Sequence, residues 1–314
     1  MHILYFMILF PCILVPSLKI SLADDNSMYL LQSMRDGETL ISKGTKFEFG
    51  FFSPGSSQKR YLGIWYKNIP IKTVVWVANR ANPINDSSGI LTVNSTGNLV
   101  LTTNGSLVWS TTNNNFHKQA QNTVVELLDS GNLVIRNEGE TNPEEYLWQS
   151  FDYPSDTLLP GMKLGWDLRT GLDRRLTAWK SPDDPSPGEV YRDLKLYSYH
   201  EFYIMKGTKK VFRFGPWNGL YFSGVPDLRN NSVFVFNFIS NKDESYYIFN
   251  PGNDVVMSRI VMNESSTIYR YVWVEEDQNW RIYTSLPKDF CDTYGLCGAY
   301  GNCMTTQTLN SKEL

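Results

Sequence analysis

An all-β chain is what this sequence predicts, and three observations predict it. Short apolar or alternating runs are separated throughout by Gly, Asn, Asp, Ser and Pro, and helical periodicity is hard to find. Phe, Trp and Tyr make up 14% of the 314 residues, a content that favours strands. One phrase also recurs: Ser95-Thr96-Gly97-Asn98-Leu99-Val100 returns as Asp129-Ser130-Gly131-Asn132-Leu133-Val134, roughly thirty residues on. Each copy runs on to an aromatic closer, Trp109 and Trp148. A looser upstream copy, Phe47-Glu48-Phe49-Gly50-Phe51-Phe52, leads to Trp65. Such a unit alone buries too little apolar surface to stand, so the copies must share a core.

The elements follow in order. Ile3 to Leu18 is an apolar run broken by Pro11 and Pro16 and ending near Ser21-Leu22-Ala23, a small-x-small cleavage pattern. It reads as a signal peptide, 1–23, cut after Ala23. The run is short for an N-terminal membrane anchor, and no later stretch approaches the ~20 apolar residues of a spanning helix. Strands are expected at Thr39–Ser42, Phe47–Phe52, Tyr61–Tyr66, Thr73–Ala78, Ile90–Val93, Asn98–Thr102, Leu107–Ser110, Thr123–Leu128 and Leu133–Arg136. Asn104-Gly105 and Gly131-Asn132 supply hairpin chemistry, because Gly accepts positive φ without steric cost. Phe151–Gly161 and Ser181–Gly188 read as loops, each with more than one proline. Strands then resume from Tyr191 to Tyr283, without the Gly-Asn-Leu-Val phrase.

Net charge is −3 with 29 basic and 32 acidic residues, which does not suit a phosphate backbone and argues against nucleic acid as a partner. Five sequons, at Asn85, Asn94, Asn104, Asn230 and Asn263, agree with export and are expected to carry glycan on exposed loops. After cleavage removes Cys12, the remaining thiols are Cys291, Cys297 and Cys303, interleaved with Gly295, Gly298 and Gly301. This reads as the opening of a small disulfide-stapled module with one thiol left over. A zinc site would want close Cys pairs or a nearby His and finds neither, so no metal and no cofactor is expected.

Several long stretches closely resemble the bulb-type lectin domain of plant S-domain proteins, the group of S-locus glycoproteins and G-type lectin S-receptor-like serine/threonine kinases. They are Phe47–Gly55, Trp76-Val77-Ala78-Asn79-Arg80-Ala81-Asn82-Pro83 and Leu147–Met162. Phe214-Gly215-Pro216-Trp217-Asn218-Gly219 resembles the S-locus glycoprotein region, and Cys291–Cys303 the start of that family's EGF-like module. The resemblance implies a β-prism of three small antiparallel sheets over 24–150, a second, diverged prism over 151–286, and a truncated EGF-like segment over 287–314. Trp65, Trp109 and Trp148 are then expected to meet at the first prism's axis as core. Cys291 is expected bonded to Cys303, with Cys297 free or in an intermolecular bridge. The larger members' kinase activity does not carry over, since the sequence holds neither a Gly-rich nucleotide loop nor a His-Arg-Asp loop.

The relative of these repeats that binds mannose uses a Gln-x-Asp-x-Asn-x-Val-x-Tyr strand. The second copy holds Leu128, Ser130, Asn132, Val134 and Arg136 at those positions, and the first Asn94, Thr96, Asn98, Val100 and Thr102. The Asp that would accept two hydrogen bonds from a diol is gone from both. Asn98 and Asn132 read as turn residues, with Val100 and Val134 in the core. Enzyme chemistry finds no support: His117 and His200 are unpaired and no Gly-x-Ser-x-Gly elbow exists. The expected function is that of an exported, non-enzymatic recognition protein, by analogy in pollen–pistil or immune signalling. Its partner would be a peptide or protein ligand or a receptor-kinase ectodomain, with a mannose-type defence lectin as the alternative. Tyr197, Tyr199, Phe202, Tyr203, Phe212, Phe214, Trp217, Tyr221 and Phe222 supply aromatic contact candidates, many of them destined for the core.

Overall fold

The computed structural model describes residues 26–111, 122–196, 199–252 and 256–303. The signal-peptide region, His117 and Tyr197 lie outside them. The first half comprises β1 (Ser27–Tyr29), β2 (Ser33–Arg35), β3 (Thr39–Ile41), β4 (Phe47–Phe52), β5 (Tyr61–Tyr66), β6 (Val74–Val77), β7 (Gly89–Val93), β8 (Leu99–Thr103), β9 (Ser106–Ser110), β10 (Thr123–Leu127), β11 (Leu133–Asn137) and β12 (Trp148–Gln149). They form three four-stranded antiparallel sheets, β3-β4-β5-β6, β2-β7-β8-β9 and β1-β10-β11-β12. The three short leading strands are thus dealt out in reverse, β3 to the first sheet, β2 to the second and β1 to the third. The N-terminal segment thereby ties all three sheets together.

The second half comprises β13 (Thr157–Leu158), β14 (Leu164–Asp167), β15 (Leu172–Arg174), β16 (Thr177–Ser181), β17 (Asp184–Lys195), β18 (Glu201–Lys206), β19 (Lys209–Phe214), β20 (Phe234–Ser240), β21 (Glu244–Pro251), β22 (Ser258–Met262), β23 (Ile268–Val274) and β24 (Asn279–Leu286). Its sheets are β16-β17-β18-β19, β15-β14-β21-β20 and β13-β22-β23-β24. The same reverse dealing recurs: β16 opens the first sheet, β14 and β15 join the second, and β13 closes the third. The chain is therefore two β-prisms whose first and third sheets share one strand order, while the second sheet differs, β14 pairing with β21 and carrying β15 at its edge. The repeat phrase is absent from the second prism.

One turn links the two halves chemically. Around Asn94 and Leu128, the first residue's N–H bonds the carbonyl four residues on (2.9 Å in both), while Gly97 and Gly131 donate back to it (2.9 Å in both). The glycines take φ of 78° and 84°. Asn263 repeats the geometry in the second prism, with Thr267 O at 3.0 Å and Ser266 at φ 67°. A polar residue that tolerates the left-handed region, flanked by a side-chain acceptor, stands in for glycine there.

Several expectations need correction. The Phe151–Gly161 stretch, expected as a loop, contains β13 paired with β22. The Ser181–Gly188 stretch is not a loop: the reversal is tight and β17 already begins at Asp184. Pro185 and Pro187 are tolerated because β17 pairs with β18 only from Val190 onward, so its first half is an edge with no second ladder to supply. The third aromatic of the first prism is Trp76, not Trp65. Trp76, Trp109 and Trp148 lie on β6, β9 and β12, the last strand of each sheet. Their rings meet pairwise edge-to-face, with centroids 6.0–6.1 Å apart. Trp65 sits one strand earlier, on β5. Alternation there sends Leu62, Ile64 and Tyr66 into the main core and leaves Trp65 with Phe52, Tyr61 and Val77 in a separate cluster.

Candidate functional site

The three sheets of the first prism offer three equivalent inner strands, β5, β8 and β11, on which a sugar could be read. Each follows a device the sequence does not advertise. Just after each axial Trp, a buried polar side chain accepts the backbone N–H that opens the repeat strand: Asn79 from Leu62 (2.8 Å), Thr111 from Leu99 (3.0 Å) and Ser150 from Leu133 (2.9 Å). Buried N–H groups without partners are costly, so these contacts fix each strand to its neighbour.

In the second copy Asn132 is 5% exposed. Its amide donates to Gln149 Oε1 (2.9 Å), and its carbonyl accepts from Ser150 Oγ and Phe151 N (3.2 Å each). Arg136 holds Glu126 through Nε and Nη2 at 2.9 and 2.7 Å. Val134 is fully buried. The polar groups of Asn132 and Arg136 are thus spent internally, while Ser130, at the position of the missing Asp, is exposed. In the first copy the Asn98 amide donates to Thr96 Oγ1 (2.9 Å) and its carbonyl accepts from Thr111 Oγ1 (3.4 Å). Asn94 Oδ1 accepts from Thr96 N, Thr96 Oγ1 and Asn98 N. Val100 departs from the core placement expected of it: it is half-buried, because Leu99 and Leu101 take the inward positions of β8. In the third copy the equivalent strand offers Tyr61, Gly63 and Trp65, and Trp179 of the second prism packs against that cluster.

The long motifs turn out to be the joint between the prisms. Trp76 Nε1 donates to Tyr153 O (2.8 Å) and Val77 N to Ser155 Oγ (3.0 Å). Arg80 reaches three carbonyls of the second prism, Pro185 (2.7 Å), Thr177 (2.9 Å) and Ala178 (3.1 Å). Nearby, Asp156 is pushed up to about 6, chiefly by burial, against the pull of Arg80 and Arg259. The two prisms share one apolar core that runs from Met28 to Leu286.

The aromatic contact candidates divide sharply. Phe202, Tyr203, Phe212, Phe214 and Phe222 are core. Trp217 packs edge-on to Phe222 (5.1 Å), and Tyr221 is half-buried. Tyr199 is 70% exposed, as is Leu220 at 71%, on segments joined by Trp217 N–H to His200 O (3.3 Å). Asn85, Asn104 and Asn230 are exposed, while Asn94 and Asn263 are half-buried in their turns. Cys291 and Cys303 form a disulfide, and Cys297 is free and exposed. Among the described residues, no cluster of His, Cys, Asp or Glu suits a metal, and no helix is long and apolar enough to cross a membrane.

Residues 73–180 match the D-mannose binding lectin family and residues 212–312 the S-locus glycoprotein domain. The receptor-like serine/threonine-protein kinase SD1-8 of Arabidopsis thaliana is 43% identical over 93% of this chain and 34% of its own length. The S-locus-specific glycoprotein S6 of Brassica oleracea is 43% identical over 88% of this chain and 64% of its own length. The chain carries a bulb-type lectin domain and an S-locus glycoprotein domain, with S-locus glycoproteins and G-type lectin S-receptor-like kinases as its homologues. This S-domain homologue spans about a third of the kinase relative and somewhat under two thirds of the glycoprotein. Among solved structures, the snowdrop mannose-specific agglutinin is 20% identical with a TM-score of 0.27, over 38% of this chain and 94% of its own. The two-domain Scilla campanulata agglutinin is 12% identical with a TM-score of 0.26, over 83% and 90%.

Sequence reasoning missed three residues of this S-domain homologue that the structure makes conspicuous. Arg192 and Arg270 are each 2% exposed, and Tyr247 is fully buried. A signal existed: Val190-x-Arg192-x-Leu194 and Ile268-x-Arg270-x-Val272 place a charge in the apolar phase of an alternating strand.

Proposed function

We propose that this chain is an exported recognition protein that binds a peptide or protein ligand or a receptor-kinase ectodomain, rather than a mannose-binding lectin. The observation that carries the reading is the internal spending of Asn132, Asn98 and Arg136, whose polar atoms already hold protein partners. Opening the Asn132 site to a sugar would break buried and part-buried hydrogen bonds before making new ones, and the Asn98 and Arg136 sites would give up exposed or part-buried ones. Export with cleavage after Ala23, and glycans on Asn85, Asn94, Asn104, Asn230 and Asn263, belong to the same proposal. So does the division into 24–150, 151–286 and 287–314. Asn85, Asn94 and Asn104 bracket the β2-β7-β8-β9 sheet at both ends, so glycans there would cover that face and leave ligand binding to others.

The test pairs two measurements on secreted, glycosylated protein. A glycan array should show no mannose-dependent signal, and surface plasmon resonance should detect capture of small cysteine-rich peptides or S-receptor kinase ectodomains. Mannose binding lost in an Asn132→Asp or Asn98→Asp variant would overturn the reading in favour of the lectin.

A further inference from the structure

The second prism is closed by a different chemistry from the first. Where its three sheets meet, each sends in one polar side chain from an inner strand: Arg192 from β17, Tyr247 from β21 and Arg270 from β23. They line a cavity of about 20 Å³ with Phe214, Leu228, Ile260, Ile268, Thr284 and Leu286.

Both guanidiniums are stacked on ring faces. Arg192 lies 4.1 Å from the Phe202 centroid and 4.5 Å from Phe214, and Arg270 lies 4.3 Å from Phe249 and 4.4 Å from Phe234. Ring faces answer the charge but not the edges, because guanidinium N–H bonds point in the plane of the group. Arg192 Nε and Nη2, Arg270 Nη1 and Nη2, and the Tyr247 hydroxyl are buried without a well-aligned hydrogen bond, although Arg270 approaches the Tyr247 hydroxyl. Among the described residues, no carboxylate forms an ion pair with either arginine.

Burial lowers Arg192 to about 10 and lowers Arg270 as well. A guanidinium nonetheless keeps its proton inside proteins, so both side chains are cations. Burial raises Tyr247, so it stays a neutral phenol and supplies no counter-charge. Two adjacent buried cations are thus left without an anion, an arrangement that proteins rarely sustain.

We infer that the axial cavity of the second prism binds a single halide-sized anion, coordinated by the edges of Arg192 and Arg270 with the Tyr247 hydroxyl as a further donor. The volume suits one sphere about the size of a water molecule, which admits chloride or bromide and excludes phosphate, sulfate and carboxylates. The site neutralises the axis and is structural in consequence: it stabilises the folded prism in proportion to ligand concentration.

Two measurements test this. Crystals of the secreted protein soaked in sodium bromide should show an anomalous difference peak within hydrogen-bond reach of both arginines. The thermal midpoint should rise by several degrees on going from sodium gluconate to sodium chloride or bromide at fixed ionic strength. A site occupied by water, without anomalous signal in bromide, would overturn the inference, as would identical midpoints in gluconate and chloride. Arg270→Met should abolish the halide dependence. Should that variant not fold, the bromide experiment on the unaltered chain decides alone.

Discussion

Replacing Trp76 by Phe tests the architecture of the first prism directly. The Trp76 ring meets Trp109 and Trp148 edge-to-face, and its Nε1 donates to Tyr153 O at 2.8 Å across the joint. Losing that hydrogen bond costs about 1 kcal/mol, and weakening each aromatic contact costs up to ~0.5–1.5 kcal/mol. Trp76→Phe should therefore destabilise by roughly 2–3 kcal/mol. Part of that is pairwise, and a double-mutant cycle isolates it. Trp76→Phe with Trp109→Phe should show a coupling of about 0.5–1.5 kcal/mol, as should Trp109→Phe with Trp148→Phe. Trp65→Phe with Trp109→Phe should be additive within ~0.5 kcal/mol, since Trp65 packs in a separate cluster with Phe52, Tyr61 and Val77. The assay is urea unfolding followed by far-ultraviolet circular dichroism, because fluorescence would report the deleted rings themselves. Coupling between Trp65 and Trp109 as large as that between Trp76 and Trp109 would refute the assignment of the axis.

Three further outcomes follow. Ser150→Ala removes the acceptor of the buried Leu133 N–H and should cost about 1–3 kcal/mol in urea midpoint analysis, whereas Ser110→Ala, on a half-buried site, should cost under about 0.5 kcal/mol. The raised carboxyl of Asp156, about 6 against an ordinary 3.8, means the folded state keeps a proton that the unfolded chain releases between those values. Stability should therefore fall as pH rises from about 4 to 6, by at most roughly 3 kcal/mol, then level off, and Asp156→Asn should flatten that slope in pH-resolved chemical denaturation. Iodoacetamide on the native, non-reduced protein should modify Cys297 and spare Cys291 and Cys303 in peptide mass mapping.

How legible the fold was depended on where its physics is local. The strands of the first prism were readable because a glycine at positive φ must follow a turn, and Gly97 and Gly131 advertise two such turns in words. The second prism uses Ser266 in the same role, which leaves no phrase to find, and the kinship shows only in the turn geometry at Asn263 and in the order in which the leading strands join the sheets. Trp65 misled because distance along the chain to the next aromatic is not distance across a sheet. The correct partner, Trp76, is set by pairing between β5 and β6, with Ile64 opposite Trp76, a tertiary fact. At the candidate sugar strands, the missing Asp was plain from residue types alone. That Asn132 and Arg136 were already committed to Gln149, Ser150 and Glu126 was not, because those partners arrive from other strands.

The two axes explain why one architecture tolerates such different sequences. A three-sheet prism fixes where three inward side chains meet and demands only that the meeting point be filled and neutral. The first prism satisfies this with three indoles on the last strand of each sheet, each at about the same separation from the other two. Its filling is complete within the chain, and the ring edges supply the directional contacts that keep the sheets in register. The second prism places guanidiniums on inner strands, wraps their faces in Phe202, Phe214, Phe234 and Phe249, and leaves their edges open. Volume is thereby satisfied but charge is not, so completion passes to something outside the polypeptide. On this reasoning the first prism's stability should be indifferent to the anion in the buffer while the second's is not. Hydrogen exchange in chloride against gluconate should therefore change protection at Arg192, Tyr247 and Arg270 amides and leave those of Leu91, Leu101 and Val125 as they were.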